Sequence, residues 1–397
     1  MKSVIPYGKQ HITEEDIYAV TETLKSDYLT QGPKLPEFEK AFADYIGVKY
    51  AVAVANGTAA LHLCALALNV QPGDKVITTP ITFAASANCI RYAGGEIVFA
   101  DIDPDTYLID IKSIKRLLES APKGTYKGII PVDFAGRAVD LEAIQELADA
   151  YGLWVIEDAC HAPGGYFIDS NGNTQMCGNG IFGDLAIFSF HPVKHIACGE
   201  GGMITTNDEE LYNKLLLLRT HGITRDINLF ENSPALASGV EGCASYPAWY
   251  MEMQTLGYNY RLTDFQAALG ISQLSRANEG IVRRREIAAY YNESFNGKNF
   301  IKHQAGFIEG HAYHLYIIET EDRLGLYNYL RANNVFAQIH YIPCHLMPYY
   351  QNLGWKEGDL PLAETYYKHC LSIPIYPTLT KEEQDSVIKL ISDFFNE

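Results

Sequence analysis

At 397 residues the chain is too long for one ordinary core, so two domains, or one large α/β domain with an appendage, are expected. A composition 47% hydrophobic and 20% charged is that of a folded globular protein and excludes a disordered or collagen-like chain. Lys+Arg 31 against Asp+Glu 48 leaves a net charge of −17, which argues against nucleic acid or an anionic membrane as partner. A small phosphate held by backbone N–H groups stays possible.

In chain order, Met1-Lys2-Ser3 leads into Tyr7, Lys9 and His11 without an apolar run, so no signal peptide is expected. The weakly charged run from Tyr50 to Val70 contains Asn56, Gly57, Thr58 and His62, which is no membrane span. Strands are predicted at Ala51–Ala55, Lys75–Thr79, Glu96–Ala100, Gly128–Val132, Leu153–Glu157, Leu185–Phe190 and Gly202–Thr206. Their apolar runs are continuous rather than alternating, as in strands covered on both faces. Leu141, Ile144, Leu147 and Ala148 recur at helical spacing and predict an amphipathic helix closed by Gly152. This alternation predicts a mostly parallel, doubly wound sheet.

Asp169–Asn173 carries a hairpin-tip signal, and Thr224–Gly257 reads as a long loop. From about Gln266 long helices take over, through Arg283–Arg285 to Tyr291; strands are expected at His314–Ile318 and Phe336–His340, and a helix from about Lys381. The division expected is a large α/β domain over 1–270, with a distinct N-terminal segment 1–35, and a smaller α+β domain over 271–397. The eight cysteines form no C-x-x-C pair, and Cys160-His161 and Cys344-His345 lack zinc spacing, so no metal site is expected. Reduced, mostly buried thiols suggest a cytoplasmic protein.

Ligands on such sheets sit beyond the C-terminal strand ends, so the residues there carry the chemical interest. Asn56-Gly57-Thr58-Ala59 joins a strand to a helix whose first-turn N–H groups can cradle a phosphate, although an ordinary helix cap looks the same. Phe83 is placed to stack on a planar ring, or simply to pack in the core. Asp158 ends a strand where a carboxylate needs a cation, such as a protonated pyridine nitrogen, or several hydrogen bonds. His161 follows one turn later and can stack on that ring or bond its 3-oxygen. Lys194, in Phe188-Ser189-Phe190-His191-Pro192-Val193-Lys194, lies in an apolar aromatic setting that destabilises an ammonium, which suits an amine nucleophile.

The runs Leu29-Thr30-Gln31-Gly32, Asn56-Gly57-Thr58, Glu157-Asp158-Ala159-Cys160-His161-Ala162, Phe188–Lys194 and Gly257-Tyr258-Asn259-Tyr260-Arg261-Leu262-Thr263-Asp264 resemble the DegT/DnrJ/EryC1/StrS nucleotide-sugar aminotransferases over nearly the whole chain. The resemblance implies the type I fold of PLP-dependent transferases: a mostly parallel seven-stranded sheet flanked by helices, with a smaller C-terminal α+β domain. It implies pyridoxal 5′-phosphate as cofactor, bound covalently by Lys194 and paired at its ring nitrogen with Asp158. Gly57, Thr58, Ala59, Phe83, His161 and Ser189 would complete the cofactor site, with Asn259 supplied by the other subunit of a homodimer. Tyr7, Asp27, Tyr28, Leu29, Thr30 and His345 match places where the family contacts its sugar nucleotide.

Within the family, Ile77–Asn88, Ser189–Lys194 and Pro247–Gln273 look most like the branch that aminates C4 of a UDP-4-keto sugar with L-glutamate. Amination at C3, a GDP-perosamine type of activity, and a sensory or regulatory paralogue without turnover stay open. Sugar dehydratases on the same scaffold carry histidine in place of the lysine, and Lys194 is present. No arginine follows Arg331, which disfavours a dedicated amino-acid aminotransferase with a C-terminal carboxylate fork. Arg225 is the expected partner for the glutamate carboxylate. Glu231–Ser245 and the Phe167–Phe182 region look longer than is usual in the family.

Overall fold

The computed structural model describes residues 4–304 and 309–396; Met1–Ser3, on which part of the leader expectation rests, lie outside them. The seven predicted strands form one sheet in the order Tyr50–Val54, Gly202–Thr206, Leu185–Ser189, Trp154–Asp158, Tyr126–Ile130, Lys75–Thr78, Glu96–Phe99. Only Gly202–Thr206 runs antiparallel to its neighbours. Val155 and Ile156, and Ala186 to Phe188, are buried to within 1%, as continuous apolar runs require of strands covered on both faces.

The flanking helices begin and end on residues chosen for the task. Asp140 accepts the Ala143 N–H at 3.1 Å and starts Leu141–Tyr151; Gly152, in the left-handed conformation at φ 70°, ends it. Asn56 caps Gly57–Ala67 in the same way, accepting Ala59 N–H at 2.8 Å. The antiparallel strand sits so close here that a Cβ on Gly202 would meet the Asn56 carbonyl at 2.6 Å, which only glycine permits.

A second core gathers Ile287, Tyr291, Phe295, Leu326, Leu330, Val387 and Ile391 around the antiparallel strands Lys302–His303, Tyr316–Glu319 and Cys370–Ile373. The C-terminal helix runs from Lys381 to Phe394, and the Asp169–Asn173 tip joins Tyr166–Ile168 to Thr174–Met176. Two expectations shift. The strand expected over Phe336–His340 reduces to Val335–Phe336, which pairs in parallel with Ile5–Pro6, so the N-terminal segment reaches this second core. The 224–257 stretch is less loose than its composition implies. Its Ile223–Thr224 and Glu252–Met253 ends pair, and the Glu252 carboxylate accepts from Glu231 N–H, Asn232 N–H, the Tyr250 hydroxyl and Gln254 Nε2 at 2.7–2.9 Å. All eight cysteines are free, six of them buried. Among the described residues no helix is long and apolar enough to cross a membrane.

Candidate active site

A cavity of about 430 Å³ opens beyond the C-terminal ends of the central strands. Its lining unites Tyr7, Gly57, Thr58, Phe83, Asp158, His161, Ser189 and Lys194, contributed by segments far apart in the chain. Asp158 terminates its strand 5% exposed, and two donors hold its carboxylate: the Ser86 hydroxyl at 2.6 Å and the Cys160 N–H at 3.1 Å. Ser86 itself is braced by Thr82 Oγ1 at 2.8 Å. Donors of this kind stabilise an ionised carboxylate in a buried place.

Lys194 lies just past the Leu185–Ser189 strand. Burial draws its ammonium below the ordinary lysine range, while the nearby Cys160 and Asp158 act in the opposite direction. His161 is buried and held well below the usual histidine range, first by desolvation and then by Lys194, so its ring is neutral. Its Nδ1 accepts from the Ala135 N–H at 3.2 Å, which leaves the proton on Nε2, facing the Tyr341 hydroxyl at 3.3 Å. Both ring nitrogens are thus engaged, and what His161 offers the cavity is its face. Phe83 is 63% exposed, which excludes core packing and leaves its ring free for a ligand.

The helix Gly57–Ala67 points its first turn into the cavity. The N–H groups of Gly57 and Thr58 have no acceptor among the described residues, and a Cβ on Gly57 would come within 3.1 Å of Ser189 Cβ. That cradle, an adjacent hydroxyl, a supported carboxylate and a desolvated amine fit pyridoxal phosphate: phosphate, ring nitrogen and aldehyde each find a matching group. The fit does not extend to Ala59, whose N–H is consumed by the Asn56 cap. His345 is also corrected. It is fully buried and donates from Nε2 to Glu364 at 3.0 Å, an interior pair rather than a sugar contact.

Other expected residues do not line the cavity of their own chain. Asp27, Tyr28, Leu29 and Thr30 are exposed, and the segment is pinned where Leu29 O accepts Asp264 N–H and Thr30 pairs with Thr263. Asn259 is exposed beside Thr220, and Arg225 stands out on its loop without an ion pair among the described residues. Ser86, Glu200, His314, His340 and Tyr341 join the lining unannounced. Of these only Ser86 was legible, as a hydroxyl at helical spacing from Thr82 in the first turn after a strand end.

Fold and site together define a pyridoxal phosphate-dependent aminotransferase of the type I fold. The chain belongs to the DegT/DnrJ/EryC1/StrS aminotransferase family, whose model matches residues 10–392. It is 39% identical to the spore coat polysaccharide biosynthesis protein SpsC of Bacillus subtilis, over 98% of this chain and 96% of that one. It superposes on Helicobacter pylori PseC, an aminotransferase involved in the biosynthesis of pseudaminic acid, with a TM-score of 0.86 at 30% identity, covering 99% and 100% of the two chains. Spr1654 of Streptococcus pneumoniae, solved in its PLP form, gives 0.85 at 29% identity over 99% of each chain.

Proposed function

We propose that the protein transfers the amino group of L-glutamate to C4 of a UDP-4-keto-6-deoxy-N-acetylhexosamine, acting as a UDP-4-amino-4,6-dideoxy-N-acetyl-β-L-altrosamine transaminase in a pseudaminic acid pathway. The observation that carries the chemistry is one cavity lined by both a desolvated Lys194 amine and an Asp158 carboxylate held by two donors. The likeness to the Helicobacter enzyme supports the choice of sugar. Eight free thiols support a reducing, cytoplasmic setting.

Bound pyridoxal phosphate supplies the electron sink that amino exchange needs. Gly57 and Thr58 N–H groups and the Ser189 hydroxyl hold its phosphate in this reading. Asp158, held by the Ser86 hydroxyl and the Cys160 N–H, would offer its carboxylate to the ring nitrogen. Lys194 would hold the cofactor, and its lowered basicity keeps an unprotonated fraction of Nζ available to take up and return a proton. His161 and Phe83 offer faces to the ring. Tyr7 reaches the sugar from the cavity wall. Asp27–Thr30, Arg225 and Asn259, exposed on this chain, serve a site completed by a second copy in a homodimer, with Arg225 meeting the glutamate carboxylate.

The test is mass spectrometry of products formed from glutamate and a panel of UDP-, GDP- and dTDP-4-keto sugars. Amination at C4 of the UDP-N-acetyl sugar is expected to dominate; preferential amination of a GDP or dTDP sugar, or at C3, rejects the assignment. An Arg225→Ala protein with an unchanged glutamate half-reaction removes that arginine from the donor site.

A further inference from the structure

A second, smaller cavity adjoins the first at Lys194, and nothing in the chemistry above uses it. It measures about 190 Å³, with walls from the N-terminal segment, the helix Ala277–Phe295 and Pro377. That is room for about six water molecules, too little for a nucleotide.

Its charges are lopsided: Lys9, Arg276, Arg283 and Arg284 stand against Glu279 alone. Arg276 is neutralised by the buried Asp16, whereas Arg283 meets Glu286 at 2.9 Å in a solvent-exposed pair, weak enough for an incoming anion to compete for the guanidinium. Arg284 has no such partner. It is 2% exposed, and its hydrogen bonds all leave from Nη1, to the carbonyl oxygens of Tyr313, His314 and Ile375 at 3.0, 3.4 and 3.1 Å. Its Nε is enclosed with no acceptor, and no carboxylate pairs with it among the described residues. Burial pulls the guanidinium down to about 10. An isolated buried cation is costly, and an anion drawn into the adjoining space offsets that cost. Lys9, exposed at the rim and free of ion pairs among the described residues, extends the positive field outward. The next wall residue repeats the pattern. His195 donates from Nε2 to Ala312 O at 2.8 Å, leaving a buried Nδ1 without a partner. A neighbouring anion favours the doubly protonated ring, which turns that atom into a donor.

We propose that this cavity is a binding site for a compact oxyanion, a carboxylate or a phosphate, seated against Arg284 and drawn in by Lys9 and Arg283. Because the two cavities share Lys194, occupancy also favours the protonated amine and lowers the fraction able to react. The anion comes either from a dicarboxylate, such as the amino donor or its keto-acid product, or from free phosphate.

Calorimetry on the full-chain holoprotein decides, since the cofactor then fills the phosphate cradle of the main cavity. Sodium phosphate and glutarate, a dicarboxylate with no amino group, are titrated separately at constant ionic strength in chloride. Expected, for at least one probe, is a site that is weakened tenfold or more in the Lys9→Gln/Arg283→Gln double variant and lost in Arg284→Met, separate from any glutarate held at the amino-donor site, which neither variant alters. Binding of phosphate alone identifies the inorganic source; binding of glutarate alone identifies the dicarboxylate. Absence of binding by both probes, or wild-type affinity in the double variant, overturns the proposal. The double variant changes only the rim, so it settles the matter even if Arg284→Met fails to fold.

Discussion

Asp158 illustrates how much a single carboxylate depends on its neighbours. A strand-end aspartate is ordinary; this one is buried and takes a 2.6 Å bond from Ser86. Hydrogen bonds to charged groups contribute about 1.5–3 kcal/mol. Ser86→Ala is therefore expected to slow the glutamate half-reaction by about tenfold or more, read from the absorbance change of the bound cofactor in stopped flow. An unchanged rate would show that Ser86 is only a packing residue. His345 makes the opposite case. Removing it takes one donor from the buried Glu364, which keeps the Gly358 and Leu360 N–H groups, and a lost hydrogen bond to a charged group costs about 1.5–3 kcal/mol. His345→Ala should lower the unfolding free energy in urea by that much while leaving the glutamate KM alone; a raised KM with intact stability would restore His345 to the substrate site. The expectation for His345 came from the family resemblance, and a match in sequence says nothing of which way a side chain points.

At the level of elements, the seven strands were readable because burial on both faces forces unbroken apolar runs, and the caps because Asn, Asp and Gly have few other uses at helix ends. Two-residue pairings such as Ile5–Pro6 with Val335–Phe336 leave no periodicity to read. The order of the 224–257 loop rests on one acid, Glu252, whose four donors no local pattern announces. Neighbouring strands create a further feature. Asp133, after Tyr126–Ile130, and Glu157, in Trp154–Asp158, bring carboxylates and the Cys177 thiol within 4.8 Å of one another. Burial, reinforced for Glu157 by the nearby charge of Asp133, raises both acids above the ordinary carboxyl range, so the pair holds a proton that the unfolded chain releases near pH 4. A raised acid contributes stability that is present at low pH and lost as pH climbs through the folded titration. Stability should accordingly fall between about pH 4 and neutrality, and Glu157→Gln should flatten that slope in denaturant titrations. A slope unchanged by the substitution would show that other groups carry it.

Taken whole, the molecule separates net charge from local field. At −17 it repels polyanions, yet its two adjoining cavities display N–H groups, Lys194 and Arg284 to small ones. Asn259, which the family resemblance assigns to the other subunit, and Asp27–Thr30, read as substrate contacts, stand outside the cavity of their own chain. A homodimer with exchanged residues makes a sharp prediction. Lys194→Ala and Asn259→Ala proteins, each impaired, should regain roughly a quarter of wild-type turnover when unfolded and refolded together in equal amounts, because half the dimers then hold one intact site of two. No recovery would place Asn259 outside a shared site.

Lys194 is the residue that must hold the cofactor if the chemistry of this cavity is as described. Borohydride reduction of the holoprotein followed by peptide mapping should find the added cofactor mass on the peptide containing Lys194, with the visible absorbance lost in Lys194→Ala. Cofactor mass on any other lysine, or a coloured and active Lys194→Ala protein, would contradict it.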